Sequence, residues 1–174
     1  MSSADRIRAL RGPILALALG LGLAGCFRPM YGPGADGRSV TEALAAVKVE
    51  PVADRLGHHL TQDLVFELTG GAPASQARYR LTVKATQNVV TPVVDSSSGR
   101  ADAATVLARA DYVLTRIDGG AEVTAGTATA SATFDRIAQR FAAARATRDA
   151  EIRVARVLAD QIRLRVAAAL ATGR

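Results

Sequence analysis

Two runs of strict alternation constrain the fold of this chain more than any other feature. Arg78 to Val90, "RYRLTVKATQNVV", places Tyr79, Leu81, Val83 and Ala85 on one side and Arg80, Thr82, Lys84 and Thr86 on the other. Ala104 to Ile117 repeats the pattern, with Val106, Ala108, Ala110, Tyr112 and Leu114 opposite Leu107, Arg109, Asp111, Val113 and Thr115. Strands with one apolar face must cover that face and leave the other wet, so the sheet they form needs a packing layer on one side only. "DGGA", Asp118 to Ala121, supplies a hairpin turn, and "EVTAGTATASATF" after it is rich in Thr and small residues that suit a strand. The three runs are expected to form an antiparallel meander.

The covering layer is also legible. From about Arg140 the period changes to that of a helix, and Ile152, Ala155, Ala159, Ile162, Val166 and Leu170 fall in one stripe. Asp149 and Arg153 make an acid-before-base pair four apart on this helix. A second helix follows Asp54, a candidate N-cap, with Leu56, Leu60, Leu64 and Leu68 at intervals of four and Gly70 and Gly71 closing it. "AVKVEPV", Ala46 to Val52, alternates Val47 and Val49 with Lys48 and Glu50 and stops at a proline, as a short edge strand does. The expected fold is α+β, a two-layer sandwich of a four-stranded sheet and two helices in the order β-α-β-β-β-α, forming a single domain over residues 46–174.

The N-terminal part follows different rules. Arg6, Arg8 and Arg11 precede Pro13 to Ala24, a segment without charge that is too short for the roughly 20 apolar residues of a bilayer-spanning helix. It ends in "LAGC", whose Cys26 is the only cysteine of the chain. A lone cysteine can be a small buried hydrophobe, a reactive thiol or the modified end of a targeting signal. Here the basic start, the apolar run and the small residues Ala24 and Gly25 favour the last, and "LAGC" resembles the lipobox of bacterial lipoproteins. That resemblance implies a signal peptide over residues 1–25, lipidation of the Cys26 thiol and a lipid-anchored tether over residues 26–45. Phe27, where an Asp would favour inner-membrane retention, implies the outer membrane. Gly32, Gly34 and Gly37 spell G-x-G-x-x-G inside this tether, but no strand precedes them, so a dinucleotide site is not expected.

Cleavage leaves 149 of the 174 residues, with 19 Lys and Arg against 15 Asp and Glu, a net charge of +4. With Cys26 committed to lipid, no intrachain disulfide is available and the fold rests on packing. All the basic residues except Lys48 and Lys84 are Arg, whose planar fork suits phosphate, although a GC-rich genome produces the same bias. A nucleic-acid partner is not expected of an exported protein whose seven Phe and Tyr residues form no stacking motif. His58 and His59 have no other histidine or spare cysteine to join them, which argues for a solvated helix face rather than a metal site. No nucleophile elbow, zinc-protease motif or P-loop is present, so the chain reads as a non-enzymatic module without metal or cofactor.

The element order behind a lipobox resembles the lipopolysaccharide-assembly lipoprotein family, LptE. "CFRPMYG", Cys26 to Gly32, is similar to the family's start, with Met30 in place of Leu and the usual Gly after the cysteine missing. "FDRIAQRFAAARATRDAEIRVARVLADQIRLRVAAAL", Phe134 to Leu170, is similar to its closing strand end and helix. The resemblance implies a plug inside the large outer-membrane β-barrel that inserts lipopolysaccharide, held at the periplasmic face by acyl chains on Cys26 and in contact with lipopolysaccharide itself. Two other readings stand beside it: a scaffold lipoprotein that tethers another envelope complex without lipopolysaccharide, and a carrier with a large apolar pocket, which the abundance of Ala disfavours.

Candidate contacts for the lipopolysaccharide phosphates are Arg80, Lys84 and Arg109. Even spacing puts Arg80 and Lys84 on one strand face, and Arg109 is on the polar face of the strand expected to pair with it. The second choice is the edge formed by Arg145, Arg156 and Arg163, which align along the long helix.

Overall fold

The computed structural model describes residues 39–72, 74, 76–91, 103–136 and 139–172. Cys26, the signal segment and most of the expected tether lie outside them. Seven elements follow in order: α1 (Val40–Ala45), β1 (Val47–Val49), α2 (Asp54–Thr69), β2 (Tyr79–Val90), β3 (Ala103–Arg116), β4 (Glu122–Asp135) and α3 (Arg140–Thr172). The sheet runs β1-β2-β3-β4, with β1 parallel to β2 and the other pairs antiparallel. This is the α+β sandwich expected from the alternation, with one short helix added ahead of β1.

That added helix occupies the last six residues of the expected tether. Ser39 caps it by accepting a hydrogen bond from the Glu42 N–H at 3.2 Å, and Val40 and Leu44 are buried in the core. The β1 strand is shorter than "AVKVEPV" suggested, because Pro51 has no N–H to continue a ladder. The last bond on this side runs from the Glu50 N–H to the Leu81 carbonyl at 2.9 Å.

Strand faces divide as expected. Leu81, Val83, Val106, Ala108, Ala110, Tyr112, Leu114, Ala128 and Ala132 point into the core. Against them lie Leu56, Leu60, Leu64 and Leu68 of α2, and Ala150, Val154, Ala155, Leu158, Ala159, Ile162, Val166, Ala167 and Leu170 of α3. Alanine is frequent on both sides of this interface, which lets helix and sheet approach closely. A different close approach, of α2 to the segment that leads into it, occurs at Gly57: an added Cβ would lie 2.7 Å from Val52 Cγ1 and 2.8 Å from the Val52 carbonyl oxygen. Thr61 secures the same contact, accepting from the Val52 N–H and donating to the Gly57 carbonyl.

Asp54 differs from its expected role. The N-cap position falls to Ala53, which offers no side-chain bond, and Asp54 is the first helical residue at φ 70°, a left-handed conformation that Asp tolerates better than most residues.

The helix α3, 33 residues and about 50 Å long, also seals the outer edge of the sheet. Arg153 donates to the Thr133 carbonyl at 3.1 Å, Gln161 to the Thr129 carbonyl at 3.0 Å, and Arg165 to the Thr127 carbonyl. The match is geometric. Four helical residues rise about 6 Å and two strand residues about 6.7 Å, so side chains four apart on α3 meet successive outward carbonyls of β4. The same helix carries a buried acid. Glu151, 2% exposed, accepts from Arg55 Nε and Nη2 at 2.7 Å each and from Gln87 Nε2 at 3.2 Å, tying α3 to α2 and β2. The bonds from Arg55 hold its carboxyl below the usual carboxylate range.

Candidate functional site

With the helices on one face, the described residues leave the other face of the sheet open, and the register sorts its side chains into rows. Lys48, Arg80 and Thr115 form one row across β1, β2 and β3. Lys84, Asp111 and Thr127 form another, Thr86, Arg109 and Thr129 the next, then Asn88, Leu107 and Ser131. Beyond these, Thr105 and Thr133 face each other with hydroxyls 2.9 Å apart. The face is therefore a lawn of hydroxyl groups with a few charges set into it.

The three expected phosphate contacts all lie on this face, but not as one cluster. Arg80 and Lys84 are four residues apart, about 13 Å along the strand, and the Arg109 row lies about 20 Å from the Arg80 row. No single phosphate spans that. Arg80 belongs instead to a group at the β1 end, where the Glu50 carboxylate lies 3.3 Å from Arg80 Nε and 3.4 Å from Lys48 Nζ. Lys48 went unassigned in the sequence, although its parity with Glu50 in "KVE" placed it on the polar side.

Lys84 and Arg109 do come together. Asp111 stands directly across from Lys84 and two residues from Arg109, so the two cations are diagonal neighbours flanking one carboxylate. Arg109 donates to Asp111 through Nε at 3.2 Å and Nη2 at 2.8 Å, and through Nη2 to the Thr127 hydroxyl at 2.9 Å. Thr127 in turn donates to Asp111 at 2.5 Å. The Arg109 guanidinium bonds, joined by the Thr127 hydroxyl, hold the Asp111 carboxyl below its ordinary value. The result is a guanidinium fixed in orientation at the water interface, with one unit of positive charge left over for the pair of cations.

Beside Arg109 the surface dips into a shallow depression of about 770 Å³. Its lining spans both sides of the strands: Ala108, Ala130 and Val157 of α3 belong to the helical side, whereas Leu107, 44% exposed, stands next to Arg109 on the open face. With Leu107 and Val113 exposed on the same face, the cations suit an amphipathic anion: charge-assisted bonds for the anionic group, apolar surface for the rest.

The second-choice arginines are divided by the structure. Arg145 and Arg156 are exposed on α3. Arg163 sits at the junction of α2 and α3, 3.1 Å from Glu67 and 2.9 Å from Asp160, where it joins the two helices. The expected Asp149–Arg153 pair forms at 2.9 Å. His58 is exposed on α2 and His59 half-buried, and among the described residues no group of three His, Cys, Asp or Glu side chains is placed to hold a metal. Among them, too, no helix is long and apolar enough to cross a membrane.

Comparison with known proteins places the fold. A family model described as "LptE: Lipopolysaccharide-assembly" matches residues 44–166. A crystal structure described as that of a lipoprotein from Caulobacter crescentus CB15 is similar at TM-score 0.63 and 27% identity, over 76% of this chain and 96% of that one. The solution structure of lipoprotein B from Nitrosomonas europaea shares the fold at TM-score 0.52 and 15% identity, over 70% of this chain and 81% of that one. No curated protein matches the sequence.

Proposed function

Because the chain belongs to the LptE lipopolysaccharide-assembly family of envelope lipoproteins, we propose that it is the outer-membrane subunit that plugs and assembles the barrel translocon for lipopolysaccharide, and that it contacts lipopolysaccharide on its open sheet face. The observation that carries the reading is the pairing of Lys84 and Arg109 on the open face beside the exposed side chains of Leu107 and Val113. Lipopolysaccharide offers phosphates next to acyl chains, and this face offers cations next to apolar surface. The lawn of threonines around them suits a barrel interior, which is lined by polar side chains. Arg80 and Lys48 form a second basic group on the same face that takes a separate anionic group. Acyl chains on Cys26, which lies outside the described residues, hold the subunit at the periplasmic face of the outer membrane.

The test is lipopolysaccharide binding by the soluble chain, residues 27–174, at low and high salt. Lys84→Ala/Arg109→Ala weakens binding at least tenfold, since it removes two charge-assisted contacts at once. Unchanged affinity in a normally folded double variant removes these residues from the site and leaves the exposed arginines of α3 as the next candidates. Tagged, lipidated protein from detergent extracts carries a large β-barrel with it. Recovery of a different envelope complex and no barrel favours the scaffold reading.

A further inference from the structure

The two edges of the sheet are treated differently. The β4 edge is sealed by Arg153, Gln161 and Arg165 of α3, which occupy its outward carbonyls. Among the described residues the β2 edge is paired only with the three residues of β1, opposite Tyr79 to Leu81. Leu81 turns its carbonyl toward β1. By the alternation of an antiparallel ladder, Val83, Ala85, Gln87 and Val89 turn their N–H and C=O groups the same way. Among the described residues no strand pairs with β2 on that side beyond Leu81. About 20 Å of strand edge is left open.

Natural sheets block such edges with proline, inward charge, bulges or cover, because an open edge templates pairing with another chain. From Val83 to Val89 the sequence "VKATQNV" carries no proline and one charge, and Val89 is 48% exposed. We propose that this edge receives an extended strand from a protein partner, laid beside β2 in line with β1. A row of alternating amide and carbonyl groups is complementary to another extended backbone, and neither a lipid nor a sugar chain presents that match.

The side chains around the edge describe the incoming strand. On the helical side it continues Val83 and Ala85, and so carries apolar residues there. On the open side it passes Lys84, and so carries a carboxylate or hydroxyl there. The protein already uses this arrangement once, where Glu50 of the strand-end segment after β1 pairs with Arg80 of β2. The inference rests on the chain being a subunit of a larger envelope assembly, but not on which protein that assembly contains.

The experiment compares residue-resolved amide exchange in the soluble chain and in the lipidated chain isolated with its partners from detergent extract. Exchange at Val83, Ala85, Gln87 and Val89 slows at least tenfold in the assembly. Ala85→Pro removes only an outward N–H, and it lowers recovery of the partner at least tenfold while leaving the melting temperature of the soluble chain within a few degrees. Equal exchange in both states overturns the inference, and recovery of the barrel in the same sample leaves the proposed function standing. Slowed exchange in an assembly without the barrel upholds the edge and sinks the barrel reading. A chain isolated alone, with its edge exchanging as freely as in solution, overturns both. Slowing that depends on the concentration of the soluble chain overturns the inference in favour of a second copy pairing edge to edge.

Discussion

Replacing Glu151 tests how the three layers are locked together. Its carboxylate is buried on α3 and accepts two bonds of 2.7 Å from Arg55 and one of 3.2 Å from Gln87. Bonds to charged groups are worth about 1.5–3 kcal/mol each, but Arg55 is half-exposed and regains water when its partner is lost, which removes part of that sum. Glu151→Ala is therefore expected to destabilise the soluble chain by about 2–4 kcal/mol, including the cavity it leaves, and Glu151→Gln by about 1–2 kcal/mol. For a domain of this size that is roughly 2–4 °C of melting temperature per kcal/mol.

The pH dependence has a definite sign. Arg55 lowers the pKa of Glu151 in the folded state, so the stabilisation is fully present above the ordinary carboxylate value of about 4.3 and is lost as pH falls below it toward the folded value. Urea unfolding of wild type and Glu151→Gln at a series of pH values measures both effects. The gap between the two proteins should be complete at pH 7 and shrink on acidification below about pH 4. A gap that is absent at pH 7, or unchanged at pH 3, refutes the assignment. A double-mutant cycle with Arg55→Ala separates the pairwise contribution from the cavity.

Three further outcomes are expected. Gly57→Ala should destabilise by about 1–3 kcal/mol in chemical unfolding, despite alanine's higher helix propensity, because the new methyl meets the Val52 backbone. Cys26→Ser should leave an unprocessed and unlipidated precursor, seen as slower gel mobility and loss from the membrane fraction; unaltered behaviour rejects the lipid anchor. Arg153→Ala/Arg165→Ala should expose the β4 edge, giving concentration-dependent aggregation by light scattering at temperatures where the wild type remains clear.

Much of the architecture was already written along the chain. Period-two alternation assigned the core residues of β2 and β3 from Leu81 to Leu114 to their side, apart from Ala104, and period-3.6 spacing did the same for the leucines of α2 and for Ala155, Ala159, Ile162, Val166 and Leu170 of α3, though not for Ile152, which is only half-buried; both periods are properties of the backbone itself. The helix α1 was missed, its residues being assigned to the tether, although a signal for it was present. Ser39 followed three residues later by Glu42 is a helix-start signature, hidden by the glycines and prolines before it.

Other features existed only once distant segments met. The cations divided into a Lys48–Arg80 group and a Lys84–Arg109 pair because the β1–β2 and β2–β3 registers decide which residues become neighbours. Arg80 and Arg109 look equivalent in a one-dimensional pattern and stand about 20 Å apart in the sheet. Glu151 falls within the buried stripe of α3, yet its burial is tolerable only because Arg55, 96 residues away, reaches it. Local periodicity dictates the face on which a residue lies. Only tertiary structure decides what it meets there, since contact depends on register and crossing geometry that no single segment contains.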